Sequence, residues 1–75
     1  MKILITGIAG MIGSNLADYF SKNENVTIHG IDDLSGSYIE NINKKVIFHK
    51  CNIETDVDYI KELFKKENFD VVYHL

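Results

Sequence analysis

The chain has 75 residues, 45% of them hydrophobic and 25% charged, with a formal net charge of −3 at neutral pH. That length admits one small domain, which hides only about 60–65% of the surface its unfolded form exposes. The acidic balance provides no basic face for phosphates and argues against nucleic acid, and no apolar run is long enough for a signal peptide or a membrane span.

Residues 2–6 read as a first strand, apolar enough to be buried on both faces. Gly7, Gly10 and Gly13 follow at three-residue spacing, and a helical pattern covers residues 11–22 with Ile12, Leu16, Tyr19 and Phe20 on one stripe. A strand feeding a glycine turn at a helix N-terminus is a means of holding phosphate. Gly7 permits a tight turn with unusual backbone angles. Gly10 lets backbone approach a pyrophosphate, and Gly13 lets the helix lie close to the strand. Met11 and Ile12 would then offer backbone N–H groups to the anion. The same glycines also suit a strand–helix turn with no ligand. A P-loop is excluded, because no Gly-Lys-Ser or Gly-Lys-Thr follows.

A second strand runs over residues 26–32 and ends in Asp32 and Asp33, with Asp32 nineteen residues after Gly13. An acid at that distance accepts hydrogen bonds from the adenosine ribose; the alternative is an aspartate that opens a turn. Asp33 and Leu34 line the same loop, as ribose or adenine contacts or as plain loop residues. The loop continues to residue 38, a helical turn is expected over 39–43, and a third strand over 45–50. Thr55 starts a second helix, reaching residue 67, with Asp58 completing a capping-box variant. Val57, Ile60, Leu63 and Phe64 form its stripe, and Glu62 and Lys66 an i,i+4 pair. Residues 70–75 read as a fourth strand. Strands alternating with helices imply an α/β fold with a parallel sheet and right-handed crossovers.

Three segments, Thr6-Gly7-Ile8-Ala9-Gly10-Met11-Ile12-Gly13, Gly30-Ile31-Asp32-Asp33-Leu34-Ser35 and Asp70-Val71-Val72-Tyr73-His74-Leu75, resemble the opening of an extended short-chain dehydrogenase/reductase of the NAD-dependent epimerase/dehydratase family. The Asp-Asp-Leu-Ser-Gly loop is most similar to nucleotide-sugar 4-epimerases. The resemblance covers residues 1–75 as the N-terminal part of a NAD-binding Rossmann domain, and implies a partial Rossmann fold. Strand order would be 3-2-1-4, with the first helix on one face of the sheet and the second on the other. It implies NAD as cofactor and a nucleotide sugar as substrate of the parent enzyme, which would oxidise a sugar carbon and return the hydride to the other face of a keto-sugar. A dehydratase or reductase relative is the second choice, and a non-catalytic nucleotide-binding module or fold fragment the alternative from another class.

The resemblance also places Asn52 and Ile53 beside the adenine, where the family carries an acid followed by an apolar residue. An asparagine oxygen can still accept from the adenine amino group; a plain turn after the third strand is the other reading. Leu75 aligns with a position lining the cofactor pocket. The family's catalytic Tyr-x-x-x-Lys pair has no match: Tyr19, Tyr38 and Tyr59 are followed four residues on by Asn23, Ile42 and Leu63, so no catalytic residue is assigned and the chain alone is expected to be inactive.

The acidic pair bears on cofactor choice. A 2′-phosphate would meet two carboxylates with no arginine to offset them, a cost on the order of 1 kcal/mol or more, which favours NAD over NADP. The single cysteine, Cys51, forms no internal disulfide and fits a cytoplasmic setting as a small apolar residue. His29, His49 and His74 each fall in an expected strand, at spacings that suit no metal site. The fourth strand is expected to present an open apolar edge, and copies are expected to associate through it or through uncovered helix-facing surface.

Overall fold

The computed structural model describes residues 1–75. In chain order it contains β1 (Lys2–Thr6), α1 (Met11–Ser21), β2 (Thr27–Asp32), a 3₁₀ turn (Ile39–Asn41), β3 (Ile47–Lys50), α2 (Val57–Glu67) and β4 (Val71–Tyr73). The strands form one sheet in the order β3-β2-β1-β4, with every neighbouring pair parallel. This is the partial Rossmann α/β arrangement that the strand–helix alternation and the family resemblance imply.

Strand β1 is central because its side chains are apolar in both directions. Ile3 and Ile5 point to one face, where they meet Ile8, Ala17 and Ile28. Leu4 points to the other face and meets Ile31, Cys51 and Leu63. Helix α1 covers the first face and α2 the second, as expected. No helix is long and apolar enough to cross a membrane.

The buried stripe of α1 differs from the expected one. Gly13 and Ala17 are buried and Leu16 and Phe20 pack partly against the core, whereas Ile12 and Tyr19 are exposed. The cause is Gly13, which lets α1 sit directly on the Gly7–Ile8 backbone. That contact fixes the rotation of the helix and turns Ile12 and Tyr19 to solvent.

Helix α2 also departs from its expected start. Its N-cap residue is Asp56, with no side-chain cap. Thr55 is spent in a turn, where its N–H and that of Asp56 both donate to the Asn52 carbonyl at 3.2 and 2.8 Å. The Thr55–Asp58 capping box is therefore absent. Leu63 is the buried residue of the helix, supported by Ile60 and Phe69, while Val57 and Phe64 are largely exposed. The surface ion pair joins Glu62 to Lys65 at 3.8 Å, one residue short of the expected partner Lys66.

Strand lengths are trimmed by side-chain competition. The Asn43 side-chain oxygen accepts the Lys45 N–H and its carbonyl accepts the Val46 N–H, so β3 begins at Ile47. Strand β4 stops at Tyr73 because Leu75 donates its N–H to the Thr6 hydroxyl instead of extending the ladder. At the opposite end of the sheet the strands are tied together. The N-terminal amine of Met1 donates to Asn25, Thr27 N–H donates to Met1, and the Lys2 N–H donates to the Asp70 carboxylate at 2.8 Å.

Candidate functional site

In a parallel sheet the carboxyl ends of all strands share one edge, and the loops leaving them form a crevice there. At that edge lies a cleft of about 270 Å³. Six of the residues singled out from sequence line it: Gly7, Asp32, Asp33, Asn52, Ile53 and Leu75. Gly10, Met11, Ile12 and Gly13 stand beside it in the glycine loop and first turn of α1, and Leu34 lies outside it in the loop after β2.

The glycine loop is shaped by two of its glycines. Gly7 has φ of +67°, a left-handed conformation that costs glycine little. A Cβ on Gly13 would stand 2.2 Å from the Gly7 carbonyl oxygen and 3.0 Å from the Ile8 Cα. Gly10 is the N-cap of α1 in extended conformation, without a side chain to cap the helix. The first helical N–H with an acceptor is that of Ser14, which donates to the Gly10 carbonyl at 2.9 Å. The N–H groups of Met11, Ile12 and Gly13 are uncommitted, and no acidic residue lies in the first turn. Unpaired donors at the positive end of a helix dipole are suited to an anion.

Asp32 is bound to the same loop. One carboxylate oxygen accepts the Ala9 N–H at 3.0 Å, and the other accepts the Leu34 N–H at 2.8 Å. The Ala9 carbonyl in turn accepts from the Asn41 side chain at 3.1 Å, so this residue is held through both of its backbone groups. Leu34 adopts φ of +64°, rare for a branched side chain, and the Asp32 contact holds it there.

Asp33 accepts from the Ser35 N–H at 2.9 Å and the Ser35 hydroxyl at 2.8 Å. These bonds, the backbone one foremost, hold its carboxyl below the usual carboxylate range. Asn52 reaches across the cleft mouth and donates to Asp33 at 3.4 Å. Its side-chain oxygen already accepts the Glu54 N–H at 2.8 Å, which leaves one acceptor position open.

Sequence reading missed four lining residues: Thr6, Ile31, Cys51 and Glu54. Each directly precedes or closely follows a residue that was singled out, so extending the search along the strand ends would have found them. Cys51 is buried and free, and burial raises its thiol pKa. The Thr6 hydroxyl accepts the Leu75 N–H at 3.0 Å and lies 2.9 Å from His74 Nδ1, which fastens the end of the chain to the cleft. Gly30 matters as well. A Cβ there would fall 2.5 Å from Ile8 Cγ1, so its bareness seats the residue that follows Gly7. A lone glycine inside a strand of branched residues was the available signal.

A family model described as the NAD dependent epimerase/dehydratase family matches residues 3–75. A dTDP-D-glucose 4,6-dehydratase of Dictyostelium discoideum is 42% identical over 83 residues, which cover 99% of this chain and 18% of that protein. A crystal structure of UDP-glucose 4-epimerase with UDP-glucose from Thermotoga maritima superposes with a TM-score of 0.92 at 35% identity, over 100% of this chain and 24% of that one. A Bordetella bronchiseptica enzyme in complex with NAD+ gives a TM-score of 0.87 at 28% identity, over 99% and 25%. The chain thus spans about a quarter or less of the length of each.

Proposed function

The chain belongs to the NAD-dependent epimerase/dehydratase family, and on that premise we propose that its cleft is the adenosine–pyrophosphate part of an NAD site. One juxtaposition carries this reading. Three uncommitted N–H groups open α1, and the Asp32 carboxylate is hydrogen-bonded to Ala9 in the same loop. Donors for an anion and an acceptor for hydroxyls therefore lie side by side, as a nucleotide diphosphate with its ribose requires.

Met11 and Ile12, with Gly10, would hold the diphosphate, while Gly7 and Gly13 shape the loop around it. Asp32 would take the ribose hydroxyls. A carboxylate offers about four acceptor positions, and the two bonds it makes here leave capacity for them. Asp33 and Leu34 would flank the ribose, Asn52 and Ile53 the adenine, and Leu75 the pocket floor. When bound, NAD supplies a hydride acceptor; these residues bind and orient it.

The whole protein would act on a nucleotide sugar by epimerisation, in keeping with the likeness to UDP-glucose 4-epimerase. A 4,6-dehydratase is the second reading, favoured by the 42% identity to such an enzyme. Without a Tyr-x-x-x-Lys pair, the 75 residues would contribute cofactor binding and not the acid–base step. The outer edge of β4 would pair with another copy of the chain, and the free Cys51 suits a cytoplasmic location.

Isothermal titration with NAD, NADP and ADP tests the proposal. NAD is expected to bind at least tenfold tighter than NADP, because Asp32 and Asp33 would face the 2′-phosphate. Binding of none of the three, or tighter binding of NADP, would overturn it.

A further inference from the structure

On the face of the sheet covered by α2, away from the cleft, five polar side chains form one continuous chain. Tyr59 Oη lies 2.7 Å from His49 Nδ1, and His49 Nε2 lies 3.0 Å from His29 Nδ1. His29 Nε2 is 3.6 Å from Glu67 Oε1, which also accepts from Lys2 Nζ at 3.2 Å. The two imidazole planes are within 10° of each other with centroids 5.3 Å apart, the end-on geometry of an N–H···N bond. His29 is only 3% exposed, and Phe69 covers its ring edge-on.

The charge of Glu67 sets the preferred proton positions. Glu67 Oε1 stands 3.6 Å from His29 Nε2, outside hydrogen-bond reach, and its negative charge favours the tautomer with the proton on Nε2, which leaves Nδ1 as the acceptor. His49 must then donate from Nε2, and the Tyr59 hydroxyl donates to its Nδ1. With both rings neutral the two short bonds, Tyr59 to His49 and His49 to His29, are both made. One added proton can be absorbed: His29 becomes a cation donating from both nitrogens, His49 moves its proton to Nδ1, and the Tyr59 hydroxyl turns to accept. A second proton sets two N–H groups against each other across 3.0 Å.

We propose that this chain of groups is a proton-sensitive latch that fastens α2 to the sheet, closed with both histidines neutral, reversed by one proton and opened by a second. It grips the helix at two places. Tyr59 lies in the first turn of α2 and Glu67 is its last residue. The other charged groups facing it are Lys66 and Glu62 of α2, which line a small cleft beside His49, and Lys2 of β1, whose N–H is held by Asp70. Burial is the main cause that lowers both histidine pKa values, against the opposing pull of Glu67. A histidine pKa below its unfolded value near 6.5 gives stability that is complete above about pH 6.5 and lost as pH falls through that range. Just before α2, the Asn52 N–H donates to Asp56 at 2.7 Å, so an opened latch also loosens the cleft wall carrying Asn52, Ile53 and Glu54. That last consequence rests on the NAD reading, whereas the latch does not.

Two measurements on the chain test it. Histidine NMR titration should give His29 and His49 coupled, acid-shifted curves. Thermal unfolding from pH 7.5 to 5.0 should show the folding equilibrium constant falling about tenfold per pH unit for each proton excluded. The His29→Gln/His49→Gln variant should be flatter over that range whatever its absolute stability. Equal slopes in the two proteins, or independent titration of His29 and His49 near 6.5, would overturn the latch. A flatter variant in a chain that binds no NAD would uphold the latch while removing the cofactor reading.

Discussion

Gly13→Ala separates two opposed effects. In a helix interior alanine is favoured over glycine by about 1 kcal/mol, so propensity alone makes the variant more stable. The structure reverses the sign. The new Cβ would stand 2.2 Å from the Gly7 carbonyl oxygen, about 1.2 Å inside ordinary contact at 3.4 Å, with the Gly7 carbonyl carbon at 2.9 Å and Ile8 Cα at 3.0 Å. All three neighbours are backbone, so no side chain can swing away and α1 must lift from the loop. Overpacking of this kind costs roughly 1–3 kcal/mol, and contacts this short belong at the upper end. Set against the propensity gain, the net effect is a loss of about 2 kcal/mol, or roughly 10 °C in Tm for a domain of this size. Thermal unfolding followed by circular dichroism measures it, with Gly36→Ala as the control, since a Cβ at Gly36 meets nothing within 4 Å. NAD affinity should fall at least tenfold in the same variant, because the displaced helix carries the Met11 and Ile12 amides with it. A Gly13→Ala protein more stable than the parent would refute the reasoning.

Gly30→Ala should cost about 1–3 kcal/mol, since its Cβ meets Ile8 Cγ1 at 2.5 Å. Ile8→Ala alone should cost about 2–5 kcal/mol. The double variant should fall short of the sum by more than about 0.5 kcal/mol in urea unfolding, and strict additivity would mean that the two residues do not meet. Asp32→Asn keeps the shape but loses one acceptor, leaving the buried Ala9 N–H or the Leu34 N–H unpaired at a cost of about 1–3 kcal/mol. By calorimetry its NAD affinity should drop at least tenfold; a folded variant with unchanged affinity would remove Asp32 from the site.

The parts of this fold that could be read in advance are those where one local rule acts alone. The apolar run of β1, the alternation of strands and helices, and the left-handed turn at Gly7 are of this kind. So is the position of Asp32, because strand length and crossover geometry fix the distance from Gly13 to the end of β2. Features that depend on contact between distant segments were not visible. The rotation of α1 follows from how Gly13 meets Gly7, which a stripe of apolar residues cannot reveal. The start of α2 was decided by Asn52, whose carbonyl takes up the N–H groups of both Thr55 and Asp56. The end of β4 depends on a hydroxyl 69 positions earlier, at Thr6. His29 and His49 read singly as residues of two separate strands, and only parallel pairing of β2 with β3 brings their rings together.

The bonds that tie Met1 to Asn25 and Lys2 to Asp70 all lie at the amino ends of the strands, opposite the cleft. The sheet is thus moored along one margin and worked along the other. Because the mooring does not pass through Asp33, Asn52 or Glu54, those positions are free to vary with the ligand without casting the strands adrift. A lineage can retune what it holds at the worked margin while its register stays where the far margin set it.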